Sequence, residues 1–300
     1  MEYLEIRKVA VVGAGLMGTG ITQVIAEAGF SVTWVDISEE QLNKGLEKIK
    51  FFLEKKVKKG EVNSSHIQST LQNIHITSEL HDAQNVDLVI EAVPENLDLK
   101  KKVFKQLDEI INENAILASN TSALSISAIG SVTKRPHKVV GTHFFYPVPV
   151  MGLLEVIPGL ATSEEITKTA LAFGEKIGKR AVLCNDYPGF IVNRLLIPMV
   201  NEAAYLVMEG VKPEDVDAAM QIGANHKMGP LTLADFVGIE TLTATMEGLY
   251  EGFRDSKYRP CPLLVKMVEA GKLGVKTGAG FYDYDQNGKK VIKSELIVKL

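Results

Sequence analysis

Residues 9–18 read Val-Ala-Val-Val-Gly-Ala-Gly-Leu-Met-Gly, placing Gly13, Gly15 and Gly18 in a G-x-G-x-x-G pattern directly after a β-branched apolar run. Where such a turn joins a strand to a helix, each glycine does a separate job. The first permits the tight turn, the second lets a pyrophosphate approach the backbone, and the third lets helix and strand pack closely. The helix start beyond it, at Leu16 and Met17, offers unpaired N–H groups and a positive dipole end to phosphate oxygens. Glycine-rich turns serve many purposes, so context decides. Asp36 ends the next apolar run, 18 residues after Gly18. A carboxylate there is placed to accept hydrogen bonds from an adenine ribose and to repel a 2′-phosphate. Strand, turn, helix start and acid together predict a dinucleotide site that takes NAD rather than NADP. An aspartate that merely caps the following helix is the plainer alternative.

A second set of reactive side chains lies further along. An apolar stretch at 138–141 leads into Thr142-His143-Phe144-Phe145-Tyr146-Pro147, and Glu155 follows twelve residues after His143, inside Leu153-Leu154-Glu155-Val156-Ile157. A carboxylate within an apolar strand needs a partner, because burying it alone is costly. A histidine on a neighbouring strand end is a suitable one. The carboxylate fixes the imidazole tautomer and stabilises the cation formed when the other ring nitrogen takes a proton. A purely structural pair fits the same spacing. Ser119-Asn120-Thr121-Ser122 ends another apolar run. That places Ser122 beyond a strand's carboxyl end, where ligands bind in open α/β sheets; a simple helix cap is the alternative. Asn193, in Pro188-Gly189-Phe190-Ile191-Val192-Asn193-Arg194, opens a helical stretch and faces either the crevice or a helix neighbour.

Seven lysines fall between positions 44 and 59. On a helix of about 3.6 residues per turn, Lys44, Lys48, Lys55 and Lys59 share one face, and Leu42, Leu46, Ile49, Leu53 and Val57 take the other. The stripe reads either as the solvated face of an amphipathic helix or as a docking strip for a phosphate-rich ligand.

The elements that must position these groups alternate in character. Strands are expected at 8–12, 31–35, 74–77, 86–93, 115–118, 138–141 and 154–157. Helices are expected at 16–28, 41–59, 97–112 and 163–177, with a further segment at 67–72. This alternation implies parallel pairing, right-handed crossovers and helices on both faces. The fold class is therefore α/β: a Rossmann-like, doubly wound, mostly parallel sheet over residues 1–185. Pro188-Gly189 signals a turn. Beyond it, 190–209 (kinked near Pro198), 213–221, 231–249 and 262–270 read as helices, giving an all-helical C-terminal domain over residues 186–300.

Composition narrows the function classes. Three hundred residues suit two domains of about 150 each. Lysine and arginine total 33 against 37 acidic residues, for a net charge of −4, so no global basic field exists to hold nucleic acid. Two cysteines, Cys184 and Cys261, exclude a disulfide framework and point to a reducing compartment. Their spacing argues against a structural zinc site, and no metal is expected. The start is acidic where a signal peptide is basic, and no apolar run reaches about 18 residues. A cytoplasmic protein with no membrane partner is expected.

Taken in order, these segments resemble the L-3-hydroxyacyl-CoA dehydrogenase family, which includes the short bacterial 3-hydroxybutyryl-CoA dehydrogenases. The likeness is carried by Val-Gly-Ala-Gly-Leu-Met-Gly (12–18), Glu-Ala-Val-Pro-Glu-Asn-Leu (91–97) and Ser-Asn-Thr-Ser (119–122). It continues through His-Phe-Phe-Tyr-Pro-Val-Pro-Val-Met (143–151), Leu-Glu-Val-Ile (154–157), Pro-Gly-Phe-Ile-Val-Asn-Arg (188–194) and Lys-Thr-Gly-Ala-Gly-Phe-Tyr (276–282). The resemblance implies NAD-dependent interconversion of L-3-hydroxyacyl-CoA, with a short chain such as 3-hydroxybutyryl-CoA, and 3-oxoacyl-CoA. It implies His143 as catalytic base, Glu155 as its partner, and Ser122 and Asn193 as holders of the substrate oxygens. Asp36, Glu95, Lys100, Ser122, Tyr146 and Lys276 would line the NAD site beside the glycine turn. Coenzyme A would dock along the lysine-rich helix, where the family carries a serine and a lysine seven residues apart. Lys59 is kept here, but Phe52 stands in the serine's place. Tyr146 likewise stands where many relatives carry asparagine. The helical domain would form a homodimer.

One rival reading lies within enzymes and another in a different class. A β-hydroxyacid dehydrogenase of the hydroxyisobutyrate type shares the two-domain plan but relies on a lysine in the helical domain, where this chain carries Asn193. A non-catalytic, crystallin-like NAD-binding protein has no need of His143 and Glu155.

Overall fold

The computed structural model describes residues 4–291, which fall into two compact units with the boundary between Asp186 and Tyr187. The first unit runs β1 (Lys8–Val12), α1 (Leu16–Glu27), β2 (Ser31–Val35), α2 (Glu39–Lys58), α3 (Ser65–Gln72), β3 (Ile74–Thr77) and β4 (Leu88–Glu91). It continues with α4 (Leu97–Ile110), β5 (Ile116–Ser119), α5 (Ile126–Gly130), β6 (Val139–Phe144), β7 (Leu153–Pro158), α6 (Glu164–Lys176) and β8 (Arg180–Leu183). The strands form one sheet in the order β3-β2-β1-β4-β5-β6-β7-β8. Neighbours pair in parallel except β6 with β7, so β7 and β8 run against the rest.

The Rossmann-like expectation holds, and the burial explains why it was legible. Val9, Val11, Val32, Trp34, Leu88, Ile90, Ile116 and Ala118 are all buried in one core. A parallel sheet covered on both faces needs such continuous apolar strands. On α2 the leucine face is inside, with Leu42, Ile49 and Leu53 buried. Gly45 sits among them because a Cβ there would lie 2.3 Å from the Trp34 ring.

Several elements differ from the sequence reading. β6 continues through Phe144, so His143 lies inside the strand instead of beyond its end. β8 and the five-residue α5 were not anticipated, since elements so short carry little periodicity. In the second unit α7 (Val192–Met208) contains Pro198, and α8 (Pro213–Ala218), α9 (Pro230–Val237), α10 (Ile239–Phe253) and α11 (Pro262–Glu269) follow. The single helix expected at 231–249 is in fact two. Gly238 breaks it at φ 103, a conformation that glycine alone adopts readily. The apolar pattern runs through the break because Leu231, Ala234, Ile239, Leu242 and Met246 share one core.

Buried carboxylates lock this helical unit. Asp217 accepts from the Leu231 amide at 2.8 Å and the Tyr282 hydroxyl at 2.8 Å. Asp235 accepts from the Phe281 and Tyr282 amides, both at 2.9 Å. Among the described residues, no helix is long and apolar enough to cross a membrane.

Candidate active site

The glycine turn after β1 is built by close contacts that exclude side chains. Gly13 has φ 113, and a Cβ there would lie 2.7 Å from the Ala92 carbonyl oxygen. At Gly18 a Cβ would lie 1.9 Å from the Gly13 carbonyl oxygen, so α1 can rest on the turn only because that residue is glycine. The same Gly13 carbonyl accepts from Trp34 Nε1 at 3.0 Å, fixing its direction. Gly15 is different: a Cβ there would meet nothing within 4 Å. The space above it is open, as a ligand's close approach requires.

Gly15 caps α1 without a side-chain hydrogen bond, and no acidic residue lies in the first turn. The first amides of α1, around Leu16 and Met17, lie ahead of the helical ladder and suit an anion. Asp36 stands beside this turn. Its Oδ2 accepts from the Ala14 amide at 2.6 Å and its Oδ1 from the Ser38 amide at 2.9 Å. A negative charge is thereby fixed at the edge of the turn. Open space, first-turn amides and an adjacent carboxylate fit a dinucleotide without a 2′-phosphate. We therefore expect kcat/KM to favour NAD over NADP by at least about tenfold, roughly 1.4 kcal/mol. Equal efficiency with the two cofactors would show that Asp36 has no such role.

His143 and Glu155 are brought together by the antiparallel pairing of β6 and β7, which sets them directly opposite in register. His143 Nδ1 lies 2.7 Å from Glu155 Oε2. The carboxylate side chain is 0% exposed and the imidazole 7%. Packing of the Phe145 ring, with centroids 4.4 Å apart, confines the imidazole further. The bond to a carboxylate makes Nδ1 the donor and so selects the tautomer with the proton there.

The turn after β5 is tied down at every residue. Asn120 Oδ1 accepts from the Phe144 amide at 2.9 Å, joining this turn to the end of the His143 strand. Glu95 Oε1 accepts from Thr121 Oγ1 at 2.6 Å, the Ser122 amide at 2.8 Å, Ser122 Oγ at 3.1 Å and the Ala123 amide at 3.2 Å. Burial pushes the Glu95 carboxyl up, but the Lys100 ammonium and the bonds from Thr121 and Ser122 outweigh it and hold the group below the usual range. Lys100 itself is 1% exposed, with its ammonium 2.7 Å from Glu91 Oε1 and 3.4 Å from Glu95 Oε2. It stands behind Glu95.

The remaining predicted residues are scattered. Tyr146 is exposed and precedes the cis Pro147. Lys59 caps the C-terminal end of α2 with its side chain 71% exposed. Phe51 and Phe52 are exposed on the same helix, with Lys55 Nζ 4.4 Å from the Phe51 ring centre. Asn193, in the first turn of α7, and Lys276, paired with Glu240, belong to the second unit. Cys184 and Cys261 are buried and not disulfide-bonded. Among the described residues, no group of His, Cys, Asp or Glu is placed to hold a metal ion.

Sequence reasoning missed two supports of this site. Lys179 is buried and donates to the carbonyls of Val148 at 2.6 Å and Met151 at 2.8 Å, bracing the loop that follows His143. Asp186 accepts from the Ile126 amide at 2.9 Å and the Ser127 amide at 2.8 Å at the start of α5. Neither has a local signal, because each acts on a segment distant in sequence.

Known proteins match this chain over nearly its whole length. A family model described as "3-hydroxyacyl-CoA dehydrogenase, NAD binding domain" matches residues 8–187, and one described as "3-hydroxyacyl-CoA dehydrogenase, C-terminal domain" matches residues 189–284. A Bacillus subtilis protein named "Probable 3-hydroxybutyryl-CoA dehydrogenase" is 51% identical over 284 residues, covering 94% of this chain and 99% of its own. The human mitochondrial hydroxyacyl-coenzyme A dehydrogenase is 41% identical over 291 residues, covering 94% of this chain and 93% of its own. The crystal structure of (S)-3-hydroxybutyryl-CoA dehydrogenase from Ralstonia eutropha superimposes with a TM-score of 0.92 at 45% identity, covering 94% of this chain and all of that one.

Proposed function

This chain belongs to the 3-hydroxyacyl-CoA dehydrogenase family and is an NAD-dependent 3-hydroxyacyl-CoA oxidoreductase; we propose that His143 is its general base, that Glu155 is the base's partner, and that a short chain, 3-hydroxybutyryl-CoA, is its substrate. The observation that carries the mechanism is the buried 2.7 Å bond between His143 Nδ1 and Glu155 Oε2. With Nδ1 committed to the carboxylate, Nε2 takes the 3-hydroxyl proton as the alcohol is oxidised to the ketone. Bound NAD supplies the hydride acceptor. Glu155 stabilises the imidazolium that results, and the same groups return the proton when the ketone is reduced. Ser122 and Asn193 hold the substrate oxygens, while the α1 turn, Asp36, Glu95, Tyr146 and Lys276 hold the cofactor.

The short-chain reading rests on relatives named for 3-hydroxybutyryl-CoA. It is tested by NADH oxidation with 3-oxoacyl-CoA substrates of increasing length. The expected result is the highest kcat/KM with acetoacetyl-CoA. A clear preference for long chains contradicts the chain length, and no turnover at any length contradicts the reaction.

Lys59 and its basic neighbours on α2 dock the coenzyme A phosphates. Docking of a remote substrate part is uniform between ground and transition states, so Lys59→Ala should raise KM for acetoacetyl-CoA by about fivefold with little change in kcat. A pantetheine-truncated substrate should be turned over equally well by variant and wild type. Unchanged KM at low salt would return the stripe to a solvated face. The enzyme works in the cytoplasm as a homodimer through its helical unit, a reading supported by exposed Leu195, Ile222 and Phe236 there.

A further inference from the structure

Glu91, Lys100 and Ser119 form a buried polar cluster, with exposures of 0%, 1% and 0%, in which Glu91 and Ser119 have had no role so far. Glu91 ends β4. Its Oε1 accepts from Lys100 Nζ at 2.7 Å and from the Val93 amide at 2.7 Å, and its Oε2 accepts from Ser119 Oγ at 2.6 Å. Lys100, on α4, also donates to the Val93 carbonyl at 3.2 Å. A fully buried ion pair is weak evidence for stability, because desolvating both charges offsets their attraction. What such a pair can supply is fixed geometry.

The geometry leads to the catalytic strand ends. Lys100 lies 3.4 Å from Glu95 Oε2, and the other oxygen of Glu95 gathers the donors of Thr121, Ser122 and Ala123. In the same turn Asn120 holds the Phe144 amide, next to His143. A continuous chain of polar contacts therefore links the ends of β4, β5 and β6, starting from Glu91.

We propose that the Glu91–Lys100 pair is a positioning device for the reaction: it anchors Glu95 and, through Glu95, sets the 121–123 turn that carries Ser122. The proposal rests on the reading above, in which Ser122 holds a substrate oxygen. The charged groups facing Glu95 are Lys100 from α4 and, behind it, Glu91 from β4; Thr121 and Ser122 face it from the turn after β5. Without Lys100, the burial that raises the Glu95 carboxyl is less opposed, so the group takes up a proton at higher pH than in the wild type.

The test compares Glu91→Gln, Lys100→Met and the double variant by melting temperature, kcat and the pH dependence of kcat/KM. Lys100→Met leaves the buried Glu91 carboxylate without its cation, and Glu91→Gln leaves Lys100 only the longer 3.4 Å contact with Glu95, so each single variant should melt at a lower temperature. The double variant removes both charges and should regain most of the melting temperature. Its kcat should nevertheless stay at least about tenfold below wild type, with the acid limb of its profile moved to higher pH. A double variant that regains wild-type kcat and pH profile would make the pair purely structural and overturn the proposal. Glu95→Gln gives a check that does not depend on how the buried variants fold, since that side chain is 39% exposed. It should reproduce the lowered kcat, and a wild-type kcat there also overturns the proposal. Failure of the wild type itself to turn over any 3-oxoacyl-CoA is a separate result, which overturns the functional reading beneath.

Discussion

His143→Gln should lower kcat by about 10²- to 10⁴-fold, the range that a positioned general base contributes. Glutamine is close to histidine in size and can still meet Glu155, so the β6–β7 pairing survives. What it lacks is a nitrogen that takes a proton at working pH. The glycine turn and Asp36 lie on β1, α1 and β2, remote in sequence from β6, so NADH affinity should be nearly unchanged. Fluorescence titration with NADH and steady-state kinetics on acetoacetyl-CoA check both parts. A variant that retains kcat within about threefold would remove His143 from the proton transfer.

Glu155→Gln should lower kcat by about 10²-fold, while folding stability changes little. The glutamine carbonyl can still accept from His143 Nδ1, so the buried acceptor is replaced instead of lost. The negative charge beside the imidazolium is gone, and an amide can also rotate its donor toward the ring and favour the wrong tautomer. Loss of rate without loss of melting temperature separates this role from a structural one. Wild-type kcat and pH profile in Glu155→Gln would leave the glutamate as a buried partner only, with the mechanism resting on His143 alone.

Much of the geometry of the glycine turn was legible because its signals are local. Gly13, Gly15 and Gly18 lie within six residues, and the backbone contacts they permit follow directly from that spacing. The limits of β1, β2 and β3 were also readable: β1 is a continuous buried apolar run after Lys8, β2 buries Val32, Trp34 and Val35, and β3, at the sheet edge, is only partly buried but shows its strand character in Ile74 and Ile76. Glu155 announced itself as a charge within an apolar run, and the suitable partner was the nearby histidine. Its direct opposition to His143 depends on β6 running to Phe144 and turning back antiparallel, which the run at 138–141 did not reveal.

Lys100 shows the opposite case. Its place in a family motif put it at the NAD site, but its burial against Glu91 depends on how α4 lies over the ends of β4 and β5. Such depth is a tertiary property that spacing does not encode. The break at Gly238 was hidden for a similar reason. Two helices sharing one core keep a single apolar rhythm, and only the left-handed backbone of the glycine separates them.

The account's central claim is that His143 and Glu155 act as one unit, and the double variant His143→Gln/Glu155→Gln measures this directly. Residues that work together lose their effect together, so the double variant should have a kcat within about threefold of His143→Gln alone. A kcat equal to the product of the two single losses would show two independent contributions and contradict the dyad.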